Sequence, residues 1–496
     1  MITRRFFSSG LLSAAGCAGA LGQSRLACAE TAAPFWARPA IGKVKPRSGL
    51  EIEASPLGVG FETLDRKMFL PERTFNALAK LGVKWARVQT GWCRCEAVKG
   101  TYDFAWLDEV VDGLSKIGVR PWFNVGYGNK LYTPDAPEAT AVGWIPENSG
   151  EARQAWLAFV RELARHYRGR VSHFELWNEP NEMPFWRPGK PTPEGYVAFI
   201  RRTAEVLRVE SPGCVIDGGA FGGFPTEFFK ACLEQGLARH VDRISYHPYA
   251  LIPEQNYEKC VQAWRDLLAA ANPKVALWQG ENGCPSTATS TGALSEHPWT
   301  EARQARWLLR RVINDLRLKL ELVSWYHACD QVGYRLVGYP EGKSGAYYGL
   351  MRMGDYTLKP SYYAYQTLCA LFDAQTQANS CASLAFCAKD LTVAKEAQIE
   401  QAVFVRKGAP VCAWWLPLNV MNDTPAQRVD VTVTLKEGAA LSAPVLVDPL
   451  SGSVFKTEGS REGGRWVFAG LPLTDYPLLI TDEGAAEIDQ IGRAHV

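Results

Sequence analysis

From about residue 57 to residue 373 the chain repeats one pattern: a short apolar run, a polar or Gly-rich loop, then an amphipathic stretch. The strand-like runs are Leu57–Phe61, Val83–Val88, Arg120–Val125, Ser172–Trp177, Val215–Gly219, Arg243–His247, Val275–Gly280 and Leu322–His327. Stretches of helical period lie between them, among them Ala105–Lys116, Ala152–Tyr167, Gly195–Glu210 and Glu301–Leu318. Near-continuous apolar strands alternating with helices imply a parallel sheet buried on both faces. Eight such units predict the α/β class and a closed (β/α)8 barrel, the TIM barrel, over residues 56–375. An open doubly wound sheet would more often show a Gly-rich phosphate turn. No GxGxxG or P-loop follows any strand here, which argues against a nucleotide enzyme.

Past Leu371 the pattern changes. Runs such as Ala402–Arg406, Val411–Leu416, Val429–Leu435 and Tyr476–Thr481 are short, β-rich and separated by turn residues such as Asn422-Asp423 and Ser451-Gly452. No helix-length pattern interrupts them, so residues 376–485 are expected to form a small antiparallel β-sandwich. The Pro-rich segment 30–55 reads as a linker or a strand crossing to that sandwich. At the start, Arg4-Arg5 precedes a mildly apolar stretch from Leu11 to Leu21 and the small residues Ala27-Cys28-Ala29. Residues 1–29 thus resemble a twin-arginine export signal and predict a periplasmic or extracellular protein. Residues 486–496 are expected to be a tail, and the final six, Ile491 to Val496, match a translated sequencing-adapter read.

The charge balance, 54 basic against 52 acidic residues, gives no reason to expect nucleic acid or an acidic membrane as partner. No segment is long and apolar enough to span a bilayer. Of 13 cysteines, two lie in the signal, leaving an odd number, and Cys93-x-Cys95 is too tight for an ordinary zinc pair. There is no HExxH, so neither a metal nor another cofactor is expected. Nothing in the sequence specifies an oligomeric state.

In a barrel the working residues sit at the C-terminal ends of the strands. Strand four ends in Trp177-Asn178-Glu179-Pro180 and strand seven in Gln279-Gly280-Glu281-Asn282. Strands four and seven face each other across an eight-stranded barrel, so Glu179 and Glu281 would point into one mouth from opposite sides. A glycosidic bond needs such a pair, one carboxyl protonated and the other ionised. A single glutamate at a strand end is usually a solvated loop residue, so the pairing carries the argument. Asn178 supplies an amide for a sugar hydroxyl, and Gly280 and Gly283 allow close approach beside Glu281. Glu175, in phase but deeper, reads as structural.

Trp-Asn-Glu-Pro on strand four with a glutamate ending strand seven resembles clan A of the glycoside hydrolases. Lys99-Gly100-Thr101-Tyr102-Asp103-Phe104, followed by Trp106-Leu107-Asp108, is similar to glycoside hydrolase family 39. Family 5 shares the Asn-Glu-Pro run and a His-x-Tyr like His247-Pro248-Tyr249. The resemblance implies a retaining enzyme acting on an oligosaccharide or other glycoside, β-xylosidase- or β-glucosidase-like. In it Glu179 would be acid and then base, and Glu281 the nucleophile. It also implies that Arg87 helps keep Glu281 ionised, that His247 and Tyr249 bond Glu281 or the sugar, and that Trp325 forms a platform under the sugar. A transglycosylase would use the same carboxylates, and a sugar-binding pseudoenzyme would use neither. Trp92, Trp144 and Trp186 are loop candidates for further subsites, with local packing as the alternative for each.

Overall fold

The computed structural model describes residues 35–333, 345–388, 391 and 399–490. Eight parallel strands close into a barrel: β1 Leu57–Gly60, β2 Trp85–Gln89, β3 Arg120–Val125, β4 His173–Leu176, β5 Val215–Asp217, β6 Arg243–His247, β7 Ala276–Asn282 and β8 Val323–Trp325. Each pairs with the next, and β8 returns to β1 through Ser324 opposite Gly58. The fifth strand is interrupted after Asp217 and resumes at Phe221–Gly222 against β6.

The helices form where caps and apolar stripes coincide. Glu301–Arg317 starts at Thr300, whose hydroxyl accepts the Arg303 N–H, and buries Leu308, Leu309, Val312 and Ile313. Ser149 and Thr192 cap Gly150–His166 and Pro193–Glu210 in the same way. At the lower end of the barrel Trp122 and Trp278 meet edge to face, ring centres 5.4 Å apart. Above that plug the interior turns polar, with Arg87, Asn124, Glu175, Asp217, Ser245 and Gln279 all buried.

The second layer system is an antiparallel sandwich of one eight-stranded and one four-stranded sheet. Gly42–Val44, which precedes the barrel in sequence, lies in the larger sheet between Ser453–Lys456 and Ile488–Gln490. The expected tail from residue 486 is therefore corrected: Ile488–Gln490 is a strand, covering an edge of Gly42–Val44 that would otherwise stand open. The helix Glu301–Arg317 joins barrel to sandwich. Arg310 pairs with Glu254 at 2.5 Å and bonds the Leu418 carbonyl, while Trp415 donates to the same Glu254 at 2.7 Å. Arg306 reaches Asp475 at 2.9 Å and Arg317 reaches Glu400 at 2.6 Å. Among the described residues no helix is long and apolar enough to cross a membrane. The signal-like residues 1–29 and the adapter-like residues 491–496 lie outside the described residues.

Candidate active site

Beyond β4 the backbone leaves the strand through two left-handed residues that are not glycine, Trp177 at φ 73° and Glu179 at φ 43°. Each such residue costs about 1–3 kcal/mol and persists only where its surroundings hold it. Here the Asn124 amide donates to the Trp177 carbonyl at 2.5 Å, and the Trp177 indole donates to the Phe185 carbonyl at 2.7 Å. The Glu179 N–H is held by the Ala220 carbonyl at 2.7 Å. The turn delivers Asn178 and Glu179 to the mouth of the barrel.

Glu281 is the penultimate residue of β7, where the register against β8 slips by one residue. Beneath it a Cβ on Gly280 would lie 3.0 Å from both Glu175 Oε1 and the Ser245 side chain, so any larger residue would have to push those two groups back by a few tenths of an ångström. One donor atom each of Glu179, His247 and Glu281 lie within 4.8 Å of one another.

Arg87 organises the site from below. Its Nη1 lies 2.6 Å from Glu281 and 3.1 Å from Glu62, its Nη2 2.5 Å from Glu175 and 2.9 Å from Asn178 Oδ1, and its Nε 2.6 Å from Glu175. Burial opposes the charge on Arg87, but Glu175, Glu281 and Glu62 outweigh it and hold the guanidinium firmly protonated. Burial pushes the Glu281 carboxyl above its ordinary value; His247 and Arg87 pull it down, while Glu62 and Glu179 push it further up. Burial would also raise Glu62, yet His327 and Arg87 hold it below its ordinary value. Tyr249 donates to Glu281 Oε1 at 2.8 Å, and burial together with Glu281 keeps that phenol protonated. His247 Nδ1 meets Glu179 Oε1 at 2.9 Å. Burial disfavours charge on this imidazole, but Glu281 and Glu179 raise its pKa overall. Glu179, His247 and Glu281 could formally bind a cation; the Arg87 guanidinium already supplies positive charge against Glu281.

Of the residues singled out in the sequence, Arg87, Asn178, Glu179 and Glu281 line one pocket, with His247 and Tyr249 bonded to the two glutamates from the side. Trp325 is a correction. It is buried, its indole donates to the Tyr348 carbonyl at 3.1 Å, and its ring packs on Trp307 of the helix layer. Strand alternation turns it outward and presents Tyr326 to the pocket instead. Trp92 and Trp186 are likewise buried packing residues. Glu62, Thr63, Arg66, Gln89, Tyr127, Phe185 and Tyr326 also line the pocket and were not anticipated. Gln89 is the last residue of β2 and so carries the same strand-end signal as Arg87, whereas Glu62 lies beyond the end of β1.

A family model described as "Glycosyl hydrolases family 39" matches residues 70–276. A β-xylosidase of Geobacillus stearothermophilus is 26% identical over 164 residues, 31% of this chain and 31% of that protein. A β-xylosidase of Caldicellulosiruptor saccharolyticus is 30% identical over 173 residues, 30% of this chain and 31% of that protein. The matches thus span about a third of these relatives' length. Among solved structures, a family 39 glycoside hydrolase from Bacteroides cellulosilyticus superposes with a TM-score of 0.61 at 19% identity, covering 86% of this chain and 81% of the other. A GH39 β-xylosidase from Caulobacter crescentus gives 0.56 at 16% identity, covering 90% and 98%. At these identities the superpositions speak for the fold: a TIM barrel with an appended β-sandwich.

Proposed function

The chain belongs to glycoside hydrolase family 39, in clan A, and from that premise we propose that it is an exported, retaining, β-xylosidase-like glycosidase. The observation that carries the reading is the closeness of Glu179 and Glu281, with oxygens within 4.8 Å. Retaining enzymes hold their carboxyl groups about 5–5.5 Å apart, inverting ones about 6.5–9.5 Å. In the first step a Glu281 oxygen bonds to the anomeric carbon as the glycosidic C–O bond breaks, and the Glu179 proton passes to the leaving oxygen. In the second, water gives its proton to Glu179 and its oxygen to the anomeric carbon, releasing Glu281. Arg87 and Tyr249 stabilise the departing Glu281 charge.

The site's charge supports a neutral sugar. Glu62, Glu179 and Glu281 line the pocket against Arg66 and Arg87, with Asp65 and Glu175 behind those two guanidiniums. A uronate would meet this surplus of negative charge. Two relatives that bear the name β-xylosidase support a pentoside. Arg4-Arg5 ahead of a weakly apolar stretch supports export to the periplasm or beyond.

A panel of 4-nitrophenyl β-xyloside, glucoside, galactoside, arabinoside and fucoside tests the proposal, with NMR of the first-formed anomer. Turnover with retained configuration, lost in Glu179→Gln and Glu281→Gln, is expected. An inverted product would overturn the double displacement, and no turnover on any glycoside would overturn the glycosidase reading.

A further inference from the structure

Gln89 ends β2 at 2% exposure, yet it lines the pocket beside Glu62, Arg66 and Arg87. Its side-chain oxygen accepts from Arg66 Nη2 at 2.9 Å. A guanidinium can only donate, so a flipped amide would set NH2 against N–H groups. Arg66 is itself tied down. Its Nε donates to Asp65 Oδ1 at 3.2 Å, and its guanidinium carbon lies 5.8 Å from the centre of the Tyr127 ring. The orientation of the Gln89 amide is therefore fixed from outside, and its Nε2 is left to the pocket. Among the described residues that nitrogen has no hydrogen-bond partner. An amide N–H that faces the pocket offers a ligand oxygen a donor already held in place.

We infer that Gln89 reads one non-anomeric ring hydroxyl of the bound sugar, donating from Nε2 to the hydroxyl oxygen while Arg66 locks the amide. The inference rests on the glycosidase reading and deepens it. It makes discrimination at one ring position depend on a neutral donor outside the group of acidic side chains that carries the chemistry.

The test is a substrate-by-variant cycle on the full-length protein. The preferred 4-nitrophenyl glycoside and its 2-, 3- and 4-deoxy analogues are assayed with wild type, Gln89→Leu and Gln89→Glu. Gln89→Glu keeps an acceptor for Arg66 while removing the donor, so it serves even where the leucine variant fails to fold. The wild type should lose about tenfold in kcat/KM on one analogue through that contact. Both variants should lose a similar factor on the parent glycoside and little more on that same analogue. Independent, multiplicative losses on all three analogues would overturn the contact while leaving the glycosidase reading intact. A wild type that turns over no glycoside would overturn both.

Discussion

Replacing Arg87 by methionine is the sharpest test of how this site is held together. The guanidinium makes five polar contacts, two to Glu175 and one each to Glu62, Glu281 and Asn178. Side-chain exposure is 1% for Arg87, 0% for Glu175, 5% for Glu62 and 15% for Glu281, so water cannot take over the lost role. Removing one partner of a buried pair costs about 3–5 kcal/mol. With three carboxylates sharing the guanidinium, Arg87→Met is expected to lose about 4 kcal/mol at pH values near 7.5. The sign of the pH dependence follows from linkage. Without Arg87 the Glu281 carboxyl, already above its ordinary value through burial, rises further, and Glu62 loses one of the two groups that hold it low. The penalty is then full above the raised values and shrinks as pH falls through them, by about 1.4 kcal/mol per unit of rise. Urea unfolding followed by tryptophan fluorescence at about pH 7.5 and about pH 5 should therefore show a smaller deficit at the lower pH. Glu175→Gln in the same background should restore about 1–3 kcal/mol, since it removes one of the stranded charges. A deficit below about 1 kcal/mol, or one equal at both pH values, would refute the argument.

Azide should rescue Glu281→Ala with inverted product and Glu179→Ala with retained product, read by NMR; the opposite pairing would exchange the two roles. Tyr249→Phe removes a donor to ionised Glu281, whose carboxyl already titrates above its ordinary 4.5. Its pKa should rise further, moving the acid limb of kcat/KM to higher pH, and an unmoved limb would show that the phenol does not tune the nucleophile. Trp325→Phe should leave KM unchanged while lowering stability, whereas Tyr326→Ala should raise KM by about tenfold, equivalent to about 1.4 kcal/mol. The reverse pattern in steady-state kinetics would restore Trp325 to the pocket.

The barrel was readable because its strands are buried on both faces and so appear as plain apolar runs. Every one of the eight runs overlaps an observed strand, and Ala105–Lys116 is the observed helix to the residue. Glu179 and Glu281 were readable because strand order alone sets them face to face. Trp325 misled because an aromatic residue at a strand end has the same letters whether it faces sugar or helix. Only the alternation beyond Ser324, whose N–H is held by Gln279 inside the barrel, decides the direction. Glu62 and Arg66 lie past β1 in a turn with Thr63 and Lys67 at positive φ, a backbone course with no periodic signature. Ile488–Gln490 was missed for another reason: three residues hold too little pattern to mark a strand whose partner lies at the other end of the sequence.

That partnership has a consequence for the order of events during synthesis. Gly42 pairs with Gln490, so the first sandwich strand leaves the ribosome long before its neighbour exists. At about 5–20 residues per second the delay is roughly 20–90 s. Every strand and helix of the barrel is made within that interval. A barrel that folds during synthesis therefore does so with an unpaired strand trailing from its N-terminal side, and the sandwich is the part that the last strands complete.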